Sequence, residues 1–324
     1  MNILYVIGNG FDINVGLKTD YQSFYDYYLS EPSRSEDILK LKHHLSSERY
    51  ETWADLELGL GKYSEKVASV SEFKEIYFDI SDRLKEYLTK EIISFSVSPH
   101  INSVFLEDFR FPHLHLNAGM TREIGSYLRN TGGPYDINII SFNYTDIIER
   151  IILQGSSDKT FPVYIDSQSQ IRSVHHVHMS LNDNDIIMGV NDESQIGNKA
   201  IINDNLKSLL VKPYINTQLQ SLVDEECVDL IQKADLICLF GVSLGDTDLM
   251  WWNEIGIRMQ KSSSRLIYFI YDRERATRNS DIIAKKQDAR KRLLNKFGIQ
   301  GFDEDLSRRI YIGYRRGIFR LDRS

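Results

Sequence analysis

A glycine turn directly follows the first apolar stretch of the chain. After the apolar residues 3–7, the turn reads Gly8-Asn9-Gly10-Phe11-Asp12. A strand that ends in Gly-x-Gly and leads into a helix presents backbone N–H groups that can bind a pyrophosphate. The full G-x-G-x-x-G fingerprint needs glycine at position 13, where this chain has Ile13. The motif is partial, so it predicts either a nucleotide-binding loop or a tight turn without a ligand.

Polar side chains also follow three later apolar runs. Asn143 follows the run that begins at Ile137, and His178 ends the run 174–178. Residues 241–248 follow a third run and include Ser243. The carboxyl ends of parallel strands meet at one edge of a sheet, so we expect these loops to converge on the crevice that the glycine turn faces. Amide, imidazole, hydroxyl and carboxylate groups at one rim suit a nucleotide sugar.

Several of these residues also have a purely structural interpretation. Asn143 at a strand-to-helix junction is explained equally well as a helix N-cap. Asp246 and Asp248 stand at the start of a predicted helix, where carboxylates cap the helix and complement its dipole. A carboxylate beside a phosphate loop repels phosphate, so Asp12 is expected either to cap the helix or to bind a ribose hydroxyl.

Two histidines stand close together at the end of a predicted strand. His176 and His178 alternate onto one face of the strand, but a third ligand at a recognisable spacing is missing, so we predict no metal site. His178 is the better candidate for a general base, because a free imidazole titrates near neutral pH.

The composition is that of a globular protein of one large or two modest domains. The chain has 324 residues, of which 42% are hydrophobic and 26% are charged. Cys227 and Cys238 are the only cysteines, which excludes a four-thiolate zinc ribbon and a disulfide framework. No apolar run approaches the length of about 18 residues that a membrane span needs. We therefore expect a soluble, cytoplasmic protein without a membrane partner.

Charge is distributed unevenly along the chain. Residues 265–324 carry 16 Lys and Arg against 8 Asp and Glu, whereas the whole chain has a net charge of −7. This basic quarter, with Arg290, Lys291 and Arg292, could face nucleic acid or an acidic partner. A solvated helix surface packed on an acidic body explains it at least as well, because acidic residues are interspersed with the basic ones.

Apolar runs and helical patterns predict an α/β fold. Strands are expected at 3–7, 137–142, 174–178, 186–189, 236–240, 266–271 and 310–313, and long helices between the last three indicate βαβ crossovers. Residues 20–130 show no convincing strand, and helical spacing predicts helices at 21–29, 35–45, 53–67 and 72–94, with Ser71 expected to cap the last of them and Pro99 to follow it. We therefore predict a Rossmann-type parallel sheet formed by residues 1–19 and 131–324, with residues 20–130 as a helical insertion that covers the crevice or mediates assembly.

The loops together resemble the AbiH family, whose members are bacterial abortive-infection, or antiphage, factors. The resemblance spans nearly the whole chain and lies in these blocks: Gly8-Asn9-Gly10-Phe11-Asp12, Gly16-Leu17-x-Thr19-x-Tyr21-x-x-Phe24, Trp53-x-Asp55-Leu56-Glu57, Ser141-Phe142-Asn143-Tyr144-Thr145-Asp146-x-x-Glu149, His176-x-His178 and Gly241-x-Ser243-Leu244-Gly245-Asp246-Thr247-Asp248.

The same loops resemble, more distantly, the sirtuin-type NAD-binding fold. The resemblance implies that Asn143 orients the nicotinamide ribose or the attacking water and that His178 acts as the base. It also implies that the turn at Gly8 and Gly10 binds the pyrophosphate, and that the loop from Gly241 holds the adenosine side through Ser243 and Asp246. The resemblance therefore implies an NAD glycohydrolase, which has NAD as its substrate and holds no prosthetic group.

The chain departs from the sirtuin pattern in three places. Met179 replaces the glycine that normally follows the histidine, and the asparagine loop reads N-Y-T-D, so its carboxylate would be Asp146. The zinc ribbon of the protein deacylases has no counterpart, which argues against acyl-lysine chemistry. Two alternatives remain: a non-catalytic sensor of ADP-ribose or another nucleotide that acts on a partner, and a nucleic-acid-directed toxin. A homo-oligomer or a partner defence protein is compatible with each.

Overall fold

The protein is built around a seven-stranded sheet. The computed structural model describes residues 1–48, 53–156, 158–270, 278–299, 303–314 and 317–321. The strands are β1 (Asn2–Ile7), β2 (Tyr135–Ser141), β3 (Val163–Asp166), β4 (Ser169–His176), β5 (Leu236–Phe240), β6 (Arg265–Ile270) and β7 (Ile310–Tyr314). Their order is β3-β4-β2-β1-β5-β6-β7. All neighbours are parallel except the β3–β4 hairpin. The prediction of an α/β fold with a mainly parallel sheet is confirmed.

The first strand lies at the centre of the sheet, which explains its unbroken apolar sequence. Ile3, Tyr5 and Ile7 pack into a hydrophobic cluster on one face, whereas Leu4 and Val6 pack into a second cluster on the other face. A strand covered on both faces must be apolar at every position. The six parallel strands, which exclude β3, have the order β4-β2-β1-β5-β6-β7. This is the strand order of doubly wound dinucleotide-binding sheets, in which the order reverses between β1 and β5. That these strands form a sirtuin-type Rossmann sheet stays a prediction.

The helices connect and cover the strands. They are α1 (Gly10–Asn14), α2 (Tyr21–Ser30), α3 (Glu36–Glu48), α4 (Leu56–Tyr63), α5 (Val70–Ile92), α6 (Pro99–Arg110), α7 (Ala118–Thr131), α8 (Ile147–Leu153), α9 (Asp204–Leu210), α10 (Lys212–Gln218), α11 (Val223–Lys233), α12 (Leu249–Lys261), α13 (Asn279–Lys296) and α14 (Glu304–Arg308). Among the described residues, no helix is both long enough and apolar enough to cross a membrane.

The described part of the segment between β1 and β2 consists of helices and loops without a strand, and its helices pack in two places. Helices α2–α5 share a hydrophobic cluster with residues from 186 to 211. Helices α6 and α7 instead cover the sheet, where Phe105 and Phe109 pack with Tyr5, and the Tyr5 hydroxyl donates to the Phe109 carbonyl at 2.9 Å. The division of the chain into a core and an insertion stays a prediction.

Three local expectations differ from the structure. Residues 186–189 form no strand; Ile186 and Met188 are buried against α2–α5 instead of joining the sheet. Pro99, expected to follow the last helix of the segment, starts α6, because proline fits the first helical turn. Ser71 is not the cap of α5, since Ser69 accepts the capping hydrogen bond from Glu72.

Candidate functional site

The loops that follow β1 and β5 are in direct backbone contact. Gly8 N–H donates to the Phe240 carbonyl at 3.0 Å, and Gly10 N–H donates to the Gly241 carbonyl at 2.9 Å. A Cβ atom on Gly10 would lie 2.5 Å from the Gly241 Cα, and Gly241 itself has φ of +68°. The three glycines thus permit the close approach of two loops, and the N–H groups of Gly8 and Gly10 are used within the protein.

This contact predicts a large difference between two glycine substitutions. Gly10→Ala should destabilise the fold by about 1–3 kcal/mol, because a methyl group meets backbone that cannot rotate away. Gly119→Ala is the matched control: its nearest neighbour would lie 3.6 Å away, and alanine favours the helix. Urea unfolding of both variants measures the difference, and equal stabilities would refute the assignment.

A buried carboxyl group joins the first helix to the loop after β2. Asp12 is fully buried; it accepts hydrogen bonds from Asn143 Nδ2 at 2.9 Å and from Thr145 Oγ1 at 2.5 Å. Asp12 does not cap α1, since it lies within this helix and bonds to a neighbouring loop, whereas binding of a ribose hydroxyl by Asp12 stays a prediction. Asn143 does not cap α8 either, because that helix has Asp146 at its N-cap position. We call Asp12, Asn143 and Thr145 the Asp12 cluster.

The amide of Asn143 has one free end. Its residue is 3% exposed, and its Oδ1 atom has no hydrogen-bond partner within the described part of the chain. Because the Asp12 carboxylate accepts from Nδ2, the oxygen points away from that carboxylate and can accept a hydrogen bond. An unpaired polar atom in a buried position is rare and calls for an explanation, such as a bound hydroxyl or water.

His176 holds the backbone of the same loop. Its Nδ1 lies 2.8 Å from the Asn143 carbonyl oxygen, and its Nε2 lies 2.6 Å from Glu149 Oε1. Both partners are acceptors, so both ring nitrogens carry protons. Burial lowers the pKa of His176, but the hydrogen bond and charge of Glu149 outweigh burial, and the pKa is raised overall. His176 is therefore a charged structural clamp on the Asn143 loop.

Burial of Asp12 gives the fold a pH dependence. Desolvation raises the pKa of this carboxyl from 3.8 to about 7, against the hydrogen bonds from Thr145 and Asn143, which lower it. The native state therefore holds a proton that the unfolded chain releases near pH 4. The stabilisation of the native state by this bound proton is fully present below about pH 4 and is lost as the pH rises through about 7.

Asp12→Asn should remove this dependence, because asparagine imitates the protonated carboxyl. At about 1.4 kcal/mol per pH unit, the free energy of unfolding of the wild type should fall by roughly 3–4 kcal/mol relative to the variant between about pH 4 and about pH 8. Denaturant titrations at several pH values measure it. If the free energies of unfolding of the two proteins changed with pH in parallel, the assignment of this pH dependence to Asp12 would be wrong.

His178 belongs to a second buried group of charges, which we call the Lys212 network: Glu57, His178, Lys212 and Asp248. Lys212 Nζ lies 2.8 Å from Glu57 Oε2 and 2.7 Å from Asp248 Oδ1. His178 Nε2 lies 3.0 Å from the same Asp248 oxygen. Glu57 Oε1 also accepts a hydrogen bond from the Tyr144 hydroxyl at 2.8 Å. Asp248, which we weighed as a helix cap, makes no capping hydrogen bond.

The charges of this network are mutually stabilised. Burial lowers the pKa of Lys212, but Asp248 and Glu57 reverse that effect and the pKa is raised. Burial raises the pKa of Asp248, but Lys212 and His178 outweigh burial and hold it well below its ordinary range. Lys212 and Asp248 are consequently both ionised at neutral pH.

Asn143 and His178 lie at the same edge of the sheet, in neighbouring loops. The ring of Phe142, next to Asn143 in the chain, lies 5.4 Å from the imidazole of His178. Their polar side chains enter different groups, Asn143 the Asp12 cluster and His178 the Lys212 network. Met179, which replaces the glycine of the sirtuin pattern, has φ of +57°, a left-handed conformation that favours glycine.

The site is closed in this conformation. His178 is 4% exposed. A cavity of about 10 Å³ borders its imidazole and is lined by Lys212, Asn216, Asp224 and Trp251, among others. This space accommodates about one water molecule. A nucleotide could therefore reach His178 only after the surrounding loops move.

The other predicted site residues are divided between the interior and the rim. Asn9 accepts a hydrogen bond from Thr19 Oγ1 at 2.5 Å and closes its own loop, while the Phe11 ring lies in the core. Ser243 is exposed. Asp246 is also exposed, and it pairs with Lys296 of α13.

Glu57 and Lys212 are the residues that the sequence analysis missed. Glu57 stands in the block Trp53-x-Asp55-Leu56-Glu57, which carried the family resemblance, but nothing in the sequence assigned it a partner. No motif or pattern in the sequence indicated a role for Lys212. No group of three or more His, Cys, Asp or Glu in the described ranges is arranged to hold a metal ion.

Several basic residues of the C-terminal quarter have partners within the protein. Arg290 donates to the Ile310 carbonyl at 2.8 Å, and Arg292 pairs with Asp288 at 3.0 Å. Five arginines of this quarter lie outside the described residues: Arg273, Arg275, Arg315, Arg316 and Arg323. A nucleic-acid partner stays a prediction.

One family model matches the chain. It is described as bacteriophage abortive infection AbiH, and it covers residues 4–271. The matched range contains both the Asp12 cluster and the Lys212 network. No curated protein matches the chain.

Proposed function

The chain belongs to the AbiH family of bacteriophage abortive infection proteins, and from this premise we propose that it hydrolyses the nicotinamide–ribose bond of NAD or a related nucleotide. Function in phage abortive infection follows from the family. The chemistry is our proposal, and the edge of the sheet formed by the ends of β1, β2, β4 and β5 is its site.

The free amide oxygen of Asn143 carries this proposal. Asp12 fixes the orientation of the amide at 2.9 Å, which leaves Oδ1 buried and without a partner within the described residues. A ribose hydroxyl or a water molecule can donate to such an oxygen. Holding the reactants in this way can supply a large part of a rate enhancement.

His178 has the surroundings of a general base. Its Nε2 lies 3.0 Å from an oxygen of the Asp248 carboxylate but is not aligned for a hydrogen bond and has no other partner among the described residues, so either ring nitrogen can offer a free electron pair. In the proposed step, the water oxygen bonds to the ribose C1′ while the C1′–nitrogen bond breaks. Nicotinamide leaves as a neutral molecule with the bonding electrons, and the water proton passes to His178.

The remaining predicted residues are assigned to the rest of the nucleotide. Ser243 and Asp246 are exposed and would contact the adenosine side. The backbone N–H groups of Gly8 and Gly10 are occupied by Phe240 and Gly241, so the assignment of the pyrophosphate to this turn rests on Asn9, which is partly exposed. A closed resting site suits this activity, because an open one would consume NAD in healthy cells.

Incubation of the purified protein with NAD tests the proposal. We expect nicotinamide release, measured by liquid chromatography, when lysate from phage-infected cells is added, and little release with lysate from uninfected cells. Intact NAD under both conditions would refute hydrolysis of this substrate.

The burial of both Asn143 and His178 also favours a second candidate, a nucleotide sensor that binds ADP-ribose without turnover and acts on a partner. Calorimetric titration with ADP-ribose distinguishes the two. Tight binding without nicotinamide release from NAD would support the sensor, and turnover would exclude it.

A further inference from the structure

Three hydrogen-bond donors distant in the sequence meet on the carboxylate of Glu57. Lys212 Nζ donates to Oε2 at 2.8 Å, and the Tyr144 hydroxyl donates to Oε1 at 2.8 Å. The backbone N–H of Gly189 also donates to Oε1, at 3.2 Å. Glu57 is 5% exposed, so these donors replace water as the partners of its carboxylate. We call the three donors, Lys212 Nζ, Tyr144 OH and Gly189 N–H, the anion subsite, because such groups are the usual partners of a buried anion.

The donors and the carboxylate come from different parts of the fold. Tyr144 follows β2, Gly189 lies between β4 and α9, and Lys212 is the first residue of α10. Glu57 instead lies in the first turn of α4, in the helical segment between β1 and β2. The carboxylate that fills the anion subsite is therefore supplied by this helical segment, whereas the donors belong to segments that follow β2 and β4.

Two unpaired polar atoms lie beside the anion subsite. The cavity of about 10 Å³ that borders Lys212 is also lined by His178 and Asn216, each of which is 4% exposed. His178 Nε2 and Asn216 Oδ1 have no hydrogen-bond partner within the part of the chain that the structure describes. Buried polar atoms without a partner call for a bound polar group. Ribose hydroxyls can both donate and accept, so they can pair with either atom.

The charges around the anion subsite limit what can replace Glu57. Asp248 lies 2.7 Å from Lys212, Asp224 lines the same cavity, and Asp55 caps α4 two residues before Glu57. Burial raises the pKa values of Asp55 and Asp224. A ligand group with more negative charge than Glu57 would be repelled by these carboxyl groups. Each phosphate of a dinucleotide carries one negative charge, as Glu57 does, whereas a terminal phosphate carries nearly two at neutral pH.

We propose that the anion subsite binds one phosphate of a dinucleotide, and that Glu57 occupies this subsite in the closed conformation. Asp248 is shared by Lys212 and His178, so a phosphate bound here would bring its ribose close to the proposed base. The subsite also supplies a positive charge that the glycine turn after β1 lacks. The identity of the ligand as NAD or a related nucleotide rests on the proposed function, whereas occupation by Glu57 can be tested with ADP-ribose alone.

Removal of the Glu57 carboxylate should strengthen the binding of ADP-ribose. Glu57→Ala leaves the donors without an internal partner, so ADP-ribose should bind about 10- to 100-fold more tightly than to the wild type, because charged hydrogen bonds no longer have to be broken. Glu57→Gln keeps the volume and removes the charge, and it should give a smaller gain. Calorimetric titration of the full chain measures the affinities. A purely structural role of Glu57 predicts weaker binding instead.

A matched control and a loss of one donor complete this experiment. Glu107→Ala removes an exposed glutamate that lies 3.8 Å from Arg110, and it should bind ADP-ribose as the wild type does. Glu57→Gln/Tyr144→Phe lacks one donor and should lose part of the gain of Glu57→Gln. Equal affinities of the wild type and both Glu57 variants would overturn the proposal. Should Glu57→Ala fail to fold, Glu57→Gln decides by the same comparison.

AMP tests the preference for a singly charged phosphate. Its terminal phosphate carries about two negative charges above pH 7, so AMP should gain less affinity than ADP-ribose from Glu57→Gln. An equal gain for both ligands would overturn this preference.

The NAD assay separates this inference from the proposed function. If both hold, Glu57→Ala should release nicotinamide from NAD without lysate from infected cells. Tighter binding of ADP-ribose by this variant, with NAD intact under all conditions, would support the anion subsite and refute the enzymatic proposal. Nicotinamide release by the wild type, with equal ADP-ribose affinities of the wild type and the variant, would do the reverse.

Discussion

The His178→Ala variant should release nicotinamide at least about a hundredfold more slowly than the wild type, because a positioned general base typically contributes a factor of 10²–10⁴. Alanine leaves the proton of the attacking water without an acceptor, and it leaves Asp248 without its imidazole partner. Rates of nicotinamide release under activating conditions measure the loss, and thermal unfolding of the same samples shows that the variant is folded.

His175→Ala is the control for this experiment. His175 lies on β4 three residues before His178, and its ring contacts Ser173 at 2.8 Å and Glu226 at 3.3 Å, outside both groups of the site. We expect its rate to match that of the wild type. Equal rates for His178→Ala and the wild type would exclude His178 as the base.

Lys212→Met should lower the free energy of unfolding by about 3–5 kcal/mol, the typical result of removing one partner from a buried ion pair. The substitution keeps most of the volume but leaves the carboxylates of Glu57 and Asp248 facing each other without a cation. Denaturant unfolding, extrapolated to water, measures the effect.

Two further variants test the cause of that loss. Lys233→Met removes an exposed lysine that pairs with Asp229, and it should have little effect, since surface ion pairs contribute little to stability. Glu57→Gln/Lys212→Met removes both partners and should be more stable than Lys212→Met alone. A Lys212→Met protein as stable as the Lys233→Met protein would contradict the buried-network account.

The strands were predictable because the sheet imposes a simple pattern. Runs buried on both faces must be apolar, and β5 was located at its observed bounds, 236–240. The same pattern misled at residues 186–189, because an apolar run buried against helices has the same composition as a strand. Helices α6 and α7 were missed since Pro99 indicated the end of a helix as readily as its start.

The site was predictable only in part. Topology alone brings the ends of β1, β2, β4 and β5 to one edge, so the positions of Asn143 and His178 in neighbouring loops followed from the sequence. Their partners did not, because contacts such as Lys212 with Glu57 join residues 155 positions apart. The glycines at 8, 10 and 241 had a structural reason, the contact of two loops, that no local pattern reveals.

Metabolite measurement in infected cells tests the central claim most directly. Cells that carry the wild-type gene, the Asn143→Ala variant or an empty vector are infected, and NAD, nicotinamide and ADP-ribose are quantified by mass spectrometry over the infection. We predict that NAD falls while nicotinamide and ADP-ribose rise in wild-type cells alone. Growth arrest of infected wild-type cells with NAD at the level of the vector control would contradict the account.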